Sequence, residues 1–290
     1  MNVPSSDIRI EQHLAKSVVV ASHRRSGTHL MIDSLRLNFP QRFGRDRWGP
    51  YINLDHVNKR YGSRISLHDL YAALEQRPCI FKTHAHNLLW DFFEQDREVI
   101  ALLQRLLKRR RVVYVHRDGR DTLVSLYHYA RSFNDRIAEK KFSEFMRMFN
   151  DFDGDTCLRP MHRPDYWAWH VDGWIRHRDV YSVAFDQLTQ DFASILMQLA
   201  DRLELEQPVG LVNPVRRSRL THWQGSYPSR LWERMRRWLP GSSRYTAIQF
   251  RTGVSGGYRT VFSDDDLQFF DRHAAGAMKM LGYYAAQDEV

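Results

Sequence analysis

The sequence predicts an α/β fold, a single domain with a central parallel sheet flanked by helices. Three observations carry this. Short apolar runs, Val18-Val19-Val20-Ala21, Cys79-Ile80-Phe81, Val112-Val113-Tyr114-Val115 and residues 180–185, have the length and β-branched content of strands buried on both faces. Stretches of helical period separate them, as helix-covered parallel sheets require. Polar and basic residues follow the first three runs directly, at the carboxyl edge where open parallel sheets bind ligands.

Taken in order, the first run breaks into Ser22-His23-Arg24-Arg25-Ser26-Gly27-Thr28 and then a helix with Met31, Ile32, Leu35 and Phe39 on one face, stopped by Pro40. This pattern is a strand, a phosphate loop and a helix. Gly27 lets backbone approach a ligand, and unpaired N-terminal amides, with the Ser26 and Thr28 hydroxyls, face an anion. It is not the G-x-x-x-x-G-K-[ST] loop of nucleotide triphosphatases, because there is one glycine and Arg25 precedes the serine.

Residues 41–64 show no period and are expected to be irregular cover for the site. Ser66 caps a helix reaching Gln76, with Asp69 as the reciprocal capping residue and Leu67, Leu70, Tyr71 and Leu74 on one face; Pro78 ends it. The second strand delivers Lys82-Thr83-His84-Ala85-His86. A helix over 95–107 leads to Lys108-Arg109-Arg110-Arg111, expected to be a solvated basic turn at a helix C-terminus. The third strand runs into His116-Arg117-Asp118-Gly119-Arg120-Asp121 and a helix carrying Leu123, Leu126, Tyr127 and Ala130.

Residues 151–165 are expected to be a loop and 166–177 a helix carrying Trp167, Trp169 and Trp174. After the fourth strand, Phe192, Ile195, Leu196, Leu199 and Leu203 mark an amphipathic helix. Residues 207–257 loosen in pattern and gain arginines. Within them 230–238 is basic and amphipathic, preferably a solvated arginine face with Trp and Leu turned inward, with contact to a membrane or a partner left open. The last helix starts at Ser263, with Asp266 as reciprocal cap.

The net charge of +9 favours anionic ligands without choosing among nucleic acid, headgroups and a charged small substrate. The two cysteines, Cys79 and Cys157, lie in unrelated contexts, which argues against a disulfide scaffold or zinc site and fits a reducing cytoplasm. No run approaches the ~18 apolar residues of a membrane span. The expectation is a cytoplasmic protein, with peripheral membrane contact and oligomeric state left open. Nucleic acid is not an expected partner, since no recognised motif appears and the basic residues gather at strand ends.

In their order, these motifs resemble the sulfotransferases that use 3′-phosphoadenosine 5′-phosphosulfate (PAPS), particularly the cytosolic type. Arg24-Arg25-Ser26-Gly27-Thr28-His29-Leu30 is similar to the family's P-K-S-G-T-T-W loop, with Arg25 in place of lysine. Phe81-Lys82-Thr83-His84 reproduces its K-T-H segment. Arg117 through Ser125, followed by Tyr127-His128-Tyr129, matches the 3′-phosphate motif. Trp167, His170, Val171 and Trp174 follow W-x-x-H-V-x-x-W, and residues 251–259 resemble the closing R-K-G-x-x-G-x-W-K, with Thr252 at a basic position. Phe185 stands where the family often has an adenine-side tyrosine, and residues 259–268 depart from its dimerisation signature.

The resemblance spans 17–282. It implies a P-loop nucleotide-kinase-like fold, with 1–16 an N-terminal extension, 17–283 the sulfotransferase domain and 284–290 a tail. It implies PAPS as sulfuryl donor, adenosine 3′,5′-bisphosphate as product, no metal, and a small-molecule, glycan or natural-product acceptor. His84 is then the general base, with His86 the competitor, and Lys82 and Arg25 face the phosphosulfate. Arg24, Ser26, Gly27, Thr28 and His29 complete the donor loop; Arg117, Ser125, Arg251, Thr252 and Gly253 serve the 3′-phosphate end and Phe185 the adenine. Trp167 and His170 either line the acceptor pocket or belong to the core. The alternatives are a magnesium-dependent phosphoryl-transfer enzyme of similar fold and a basic anion- or nucleic-acid-binding module.

Overall fold

The computed structural model describes residues 6–44, 51–56, 66–86, 97–131, 134–149, 160–208, 210–214 and 255–284. They divide into two compact units, the described residues within 1–116 and 170–214 forming one and those within 117–169 and 215–290 the other. In chain order the elements are α1 (Ser6–Lys16), β1 (Val18–Ser22), α2 (Thr28–Asn38), α3 (Pro40–Phe43), β2 (Tyr51–Asn53), a 3-10 turn (Leu54–His56), α4 (Leu67–Gln76), β3 (Ile80–Thr83), α5 (Arg97–Lys108) and β4 (Val112–His116). There follow α6 (Gly119–Ala130), α7 (Asp135–Ala138), α8 (Phe142–Arg147), α9 (Arg163–Ile175), β5 (Val180–Ala184), α10 (Phe185–Gln190), α11 (Phe192–Arg202), a 3-10 turn (Gly257–Thr260) and α12 (Asp264–Met280).

The first unit holds one five-stranded sheet in the order β2-β3-β1-β4-β5, parallel throughout. The expected parallel α/β class is therefore observed, with four of the strands legible in the sequence. The fifth, β2, lies inside the segment expected to be irregular. Three residues with one buried side chain, Ile52, give no alternation to detect. β1 is central, and every one of its residues is buried.

Period two divides β1 between the sheet's faces. Val18 and Val20 join Ile80, Val113, Val115 and Val183 in one cluster with Met31, Ile32, Leu35 and Phe39 from α2 and Ile195, Leu196 and Leu199 from α11. Each such side chain contributes about 1.5–3 kcal/mol of burial. On the other face Tyr114 stacks on Trp174 at 5.8 Å between ring centroids. Residues 6–16 form α1, whose Leu14 is fully buried and whose His13 bonds the Leu74 carbonyl at 2.7 Å.

The basic turn after α5 departs from expectation. Arg111 is buried, not solvated: its guanidinium donates to the Leu203 carbonyl and to Glu204 Oε2. Leu203 is the C-cap of α11, so a cation ends that helix where orphan carbonyls and the dipole favour one. Arg110 pairs with Asp179 at 3.0 Å. α9 begins at Arg163, three residues before the expected start. The arginine-rich stretch at 230–238, residues 151–159 and Cys157 lie outside the described residues. Among the described residues, no helix is long and apolar enough to cross a membrane.

In the second unit Trp167 and Phe270 pack where α6 begins. A Cβ on Gly119 would sit 2.8 Å from both rings, so the helix can start there only as glycine. Asp266 joins α8 to α12. It closes the Ser263 capping box, accepts from Ser143 Oγ at 2.7 Å and pairs with Arg147 at 2.5 Å. Burial opposes its charge, but Arg147 and the hydroxyls outweigh that and hold the carboxyl below its usual range. Asp266→Ala is therefore expected to lower unfolding free energy by about 1–3 kcal/mol. Urea denaturation checks this, and an unchanged midpoint would contradict it.

Candidate active site

The site builds up from the carboxyl end of β1. The loop leaving Ser22 turns through Arg25 at φ 72° and Gly27 at φ 108°, both left-handed. A side chain at 27 would also meet Phe185, whose Cδ2 is 2.6 Å from the ideal Cβ position. The loop thus rests on the Phe185 ring, and α2 starts directly after Gly27 with no side-chain cap. Its first amides lack intrahelical partners by construction. Ser26 Oγ, just ahead of that start, is buried and has no hydrogen-bond partner among the described residues.

A buried hydroxyl without a partner is unfavourable by about 1–3 kcal/mol. Set at a helix N-terminus beside Arg24 and Arg25, in a turn of left-handed residues, it fits an anionic ligand such as a phosphosulfate. The neighbouring hydroxyls are already engaged with each other, Ser22 Oγ and Thr28 Oγ1 lying 2.5 Å apart.

β3 places Lys82 and His84 beside this loop, because Ala21 pairs with Thr83. Both side chains are buried. Burial lowers the Lys82 pKa; Asp55 opposes that and Arg24 adds to it. The Lys82 ammonium lies 5.5 Å from the Tyr51 ring centroid. His84 Nδ1 is 2.9 Å from the Ser22 carbonyl. A carbonyl only accepts, so Nδ1 carries the proton and Nε2 keeps its lone pair. Burial, then Lys82 and Arg24, hold this imidazole neutral, its pKa well below the ordinary value despite the Ser22 bond. A neutral imidazole with a free Nε2 is a proton acceptor.

The backbone around His84 is held by Asp55, which the sequence did not single out, and by His170, which it did. Asp55, from the 3-10 turn after β2, accepts from Thr83 Oγ1 at 2.7 Å and from the His84 amide at 2.8 Å. His170 Nε2 is 3.0 Å from the His84 carbonyl, and Tyr114 Oη is 2.9 Å from His170 Nδ1. Both His170 nitrogens are thus engaged in the protein, and the ring is fully buried. His170 was expected either in the acceptor pocket or in the core, and its ring is buried in the core. His86 is also fully buried, its ring centroid 6.1 Å from that of His170.

In the second unit, Arg117 is buried and Ser125 lies on α6. Asp118 caps that helix and pairs with Arg120 at 2.7 Å. Asp121 accepts from the amides of Gly256 and Tyr258 at 2.6 and 2.9 Å, tying residues 256–258 to the start of α6. Burial pushes the Asp121 carboxyl up, against those two amides and Arg117. Trp167 is fully buried against Phe270. Arg251, Thr252 and Gly253 lie outside the described residues. Among the described residues no three His, Cys, Asp or Glu side chains form a group able to hold a metal ion.

The model of the sulfotransferase domain matches residues 15–282. An amine sulfotransferase from Oryctolagus cuniculus is 23% identical over 99 residues, covering 33% of this chain and 30% of its own length. The match thus spans about a third of that curated relative. Among solved structures, a mouse sulfotransferase complexed with PAP has a TM-score of 0.52 at 16% identity, covering 97% of this chain and 95% of that one. A retinol dehydratase in complex with retinol and PAP has a TM-score of 0.54 at 20% identity, covering 91% and 82%. Identities this low speak for the fold alone.

Three buried imidazoles set a pH dependence. Burial pushes His116 down to about 4, and His84 and His170 lie well below their ordinary value. An unfolded chain takes up protons that the folded chain refuses, so this stability is complete above the ordinary imidazole range and is lost as pH falls through it. Thermal melts are expected to give a lower Tm at about pH 5.5 than at about pH 7.5, before most carboxylates titrate. A flat profile would contradict this.

Proposed function

The chain belongs to the sulfotransferase family, and from that premise we propose that it transfers a sulfuryl group from PAPS to a hydroxyl or amine. The acceptor class is a small molecule, a glycan or a natural product. The observation that carries this is Ser26 Oγ, buried just before α2 and without a partner among the described residues, in a left-handed turn beside two arginines and Lys82. The retinol and PAP of the retinol dehydratase complex and the amine of the curated relative support a donor and acceptor of these kinds.

When bound, PAPS supplies an activated sulfuryl group whose S–O bond to the 5′-phosphate breaks as the acceptor attacks in line. Ser26 and the amides at the start of α2 hold the phosphosulfate end. Arg25 and Lys82 face the charge that gathers on the leaving phosphate oxygen, acting where burial strengthens every charge interaction. A guanidinium at position 25 offers a planar fork in place of lysine's point charge. His84 takes the acceptor proton on Nε2. Its pinned Nδ1–H supports it over His86 as the base. The 3′-phosphate is assigned to Arg117 and Ser125 of the second unit and to Arg251 and Gly253; Phe185, which touches Gly27, is assigned to the adenine.

Calorimetry without metal tests the donor. Adenosine 3′,5′-bisphosphate is expected to bind more tightly than adenosine diphosphate, and Arg117→Ala to weaken it about 10- to 100-fold. Equal affinities, or binding that needs Mg²⁺, would overturn the reading in favour of phosphoryl transfer. With an acceptor returned by a screen against PAPS, His84→Ala is expected to remove nearly all turnover while bisphosphate affinity stays unchanged. Retained turnover would sink the base assignment.

A further inference from the structure

His84 is the first residue after β3, past the last ladder pair with β1, so strand pairing does not fix its peptide. Its backbone is nonetheless held at both polar groups. Its amide donates to Asp55 Oδ2, and its carbonyl accepts from His170 Nε2. The two neighbours are held as well. Thr83 Oγ1 donates to Asp55 Oδ1 and accepts from the Ala85 amide at 3.1 Å, and Trp174 Nε1 donates to the Ala85 carbonyl at 3.1 Å.

The topology explains why these partners converge. Asn53 pairs with Lys82 across β2 and β3, so the turn that follows β2 runs beside the turn that follows β3 and brings Asp55 to it. His170 and Trp174 are four apart on α9, hence on one face, and reach two successive carbonyls. Tyr114 Oη on His170 Nδ1 leaves the proton on Nε2, where the carbonyl needs a donor. A carboxylate suits position 55 because two donors point at it and it only accepts.

We infer that Asp55 and His170 are positioning residues for His84, gripping its amide and its carbonyl so that the imidazole keeps Nδ1–H on the Ser22 carbonyl and leaves Nε2 without a partner among the described residues. The inference rests on the reading of His84 as the base. It gives the W-x-x-H-V-x-x-W match a physical role: His170 and Trp174 are carbonyl donors to the base segment. One rival account of Asp55 is its charge, which faces Lys82. The choice of variants separates the two.

The test uses ¹⁵N-histidine-labelled protein and long-range ¹H–¹⁵N correlation, with the His84 signals identified by their loss in His84→Ala. Wild type is expected to show the Nδ1–H tautomer alone. Asp55→Ala and His170→Phe are expected to lose that single tautomer and show both. Asp55→Asn is expected to keep it, because Oδ1 still accepts from the His84 amide while Nδ2 donates to Thr83 Oγ1. A single Nδ1–H tautomer surviving in Asp55→Ala and His170→Phe would overturn the inference. So would Asp55→Asn behaving like Asp55→Ala, since charge would then be the active property. If one variant fails to fold, the other decides; if both fail, these residues serve the fold and the inference falls. Turnover retained by His84→Ala, with the tautomer pattern as expected, would remove the base assignment and leave the grip standing.

Discussion

The pairing of β1 with β3 is the constraint on which the first unit depends. In that register Ala21 lies across from Thr83, which brings the Ser22 carbonyl to the His84 imidazole and the start of the phosphate loop to Lys82. A slip of one residue would turn every side chain of β3 to the opposite face. Lys82 and Phe81 would exchange environments, and the base would lose its carbonyl. Phe81 and Lys82 are too unlike to exchange places, which opposes the slip, so the burial that stabilises the sheet also sets the geometry of the chemistry.

What the sequence revealed was local. The capping boxes at Ser66 with Asp69 and Ser263 with Asp266 were legible because the whole device lies within four residues, and both form as expected. β1 and β4 were the most legible strands because both of their faces are buried. β2 was not legible, being three residues long and defined by its partner β3. Asp55 and Tyr51 were missed with it, since nothing near them in sequence shows what they touch. Arg111 was misread for the related reason that a basic run looks solvated until its partner, the end of α11, is known. The helical spacing of His170 and Trp174 was visible; whether it faced a ligand or a peptide was not.

The second unit shows how one short motif divides its work. In Arg117-Asp118-Gly119-Arg120-Asp121 the two carboxylates take separate tasks. Asp118 caps α6 and neutralises Arg120, whose guanidinium also lies 4.1 Å from the centroid of the Tyr258 ring. Asp121 receives two backbone amides from residues 256 and 258. With Arg120 engaged in this way and Arg117 buried, the basic residues of the motif are not equivalent, although in sequence they look alike. Gly119 makes the arrangement possible by letting Trp167 and Phe270 close over the helix start.

The contact between Gly27 and Phe185 has a consequence for how this sequence can change over time. Position 27 is fixed twice, once by a backbone angle that side chains rarely adopt and once by a ring that fills the space a Cβ would take. Shrinking residue 185 lifts the second restriction and leaves the first. No single substitution at either position therefore opens a path to another residue at 27, and the glycine is held by the shape of the accessible routes as much as by what it does.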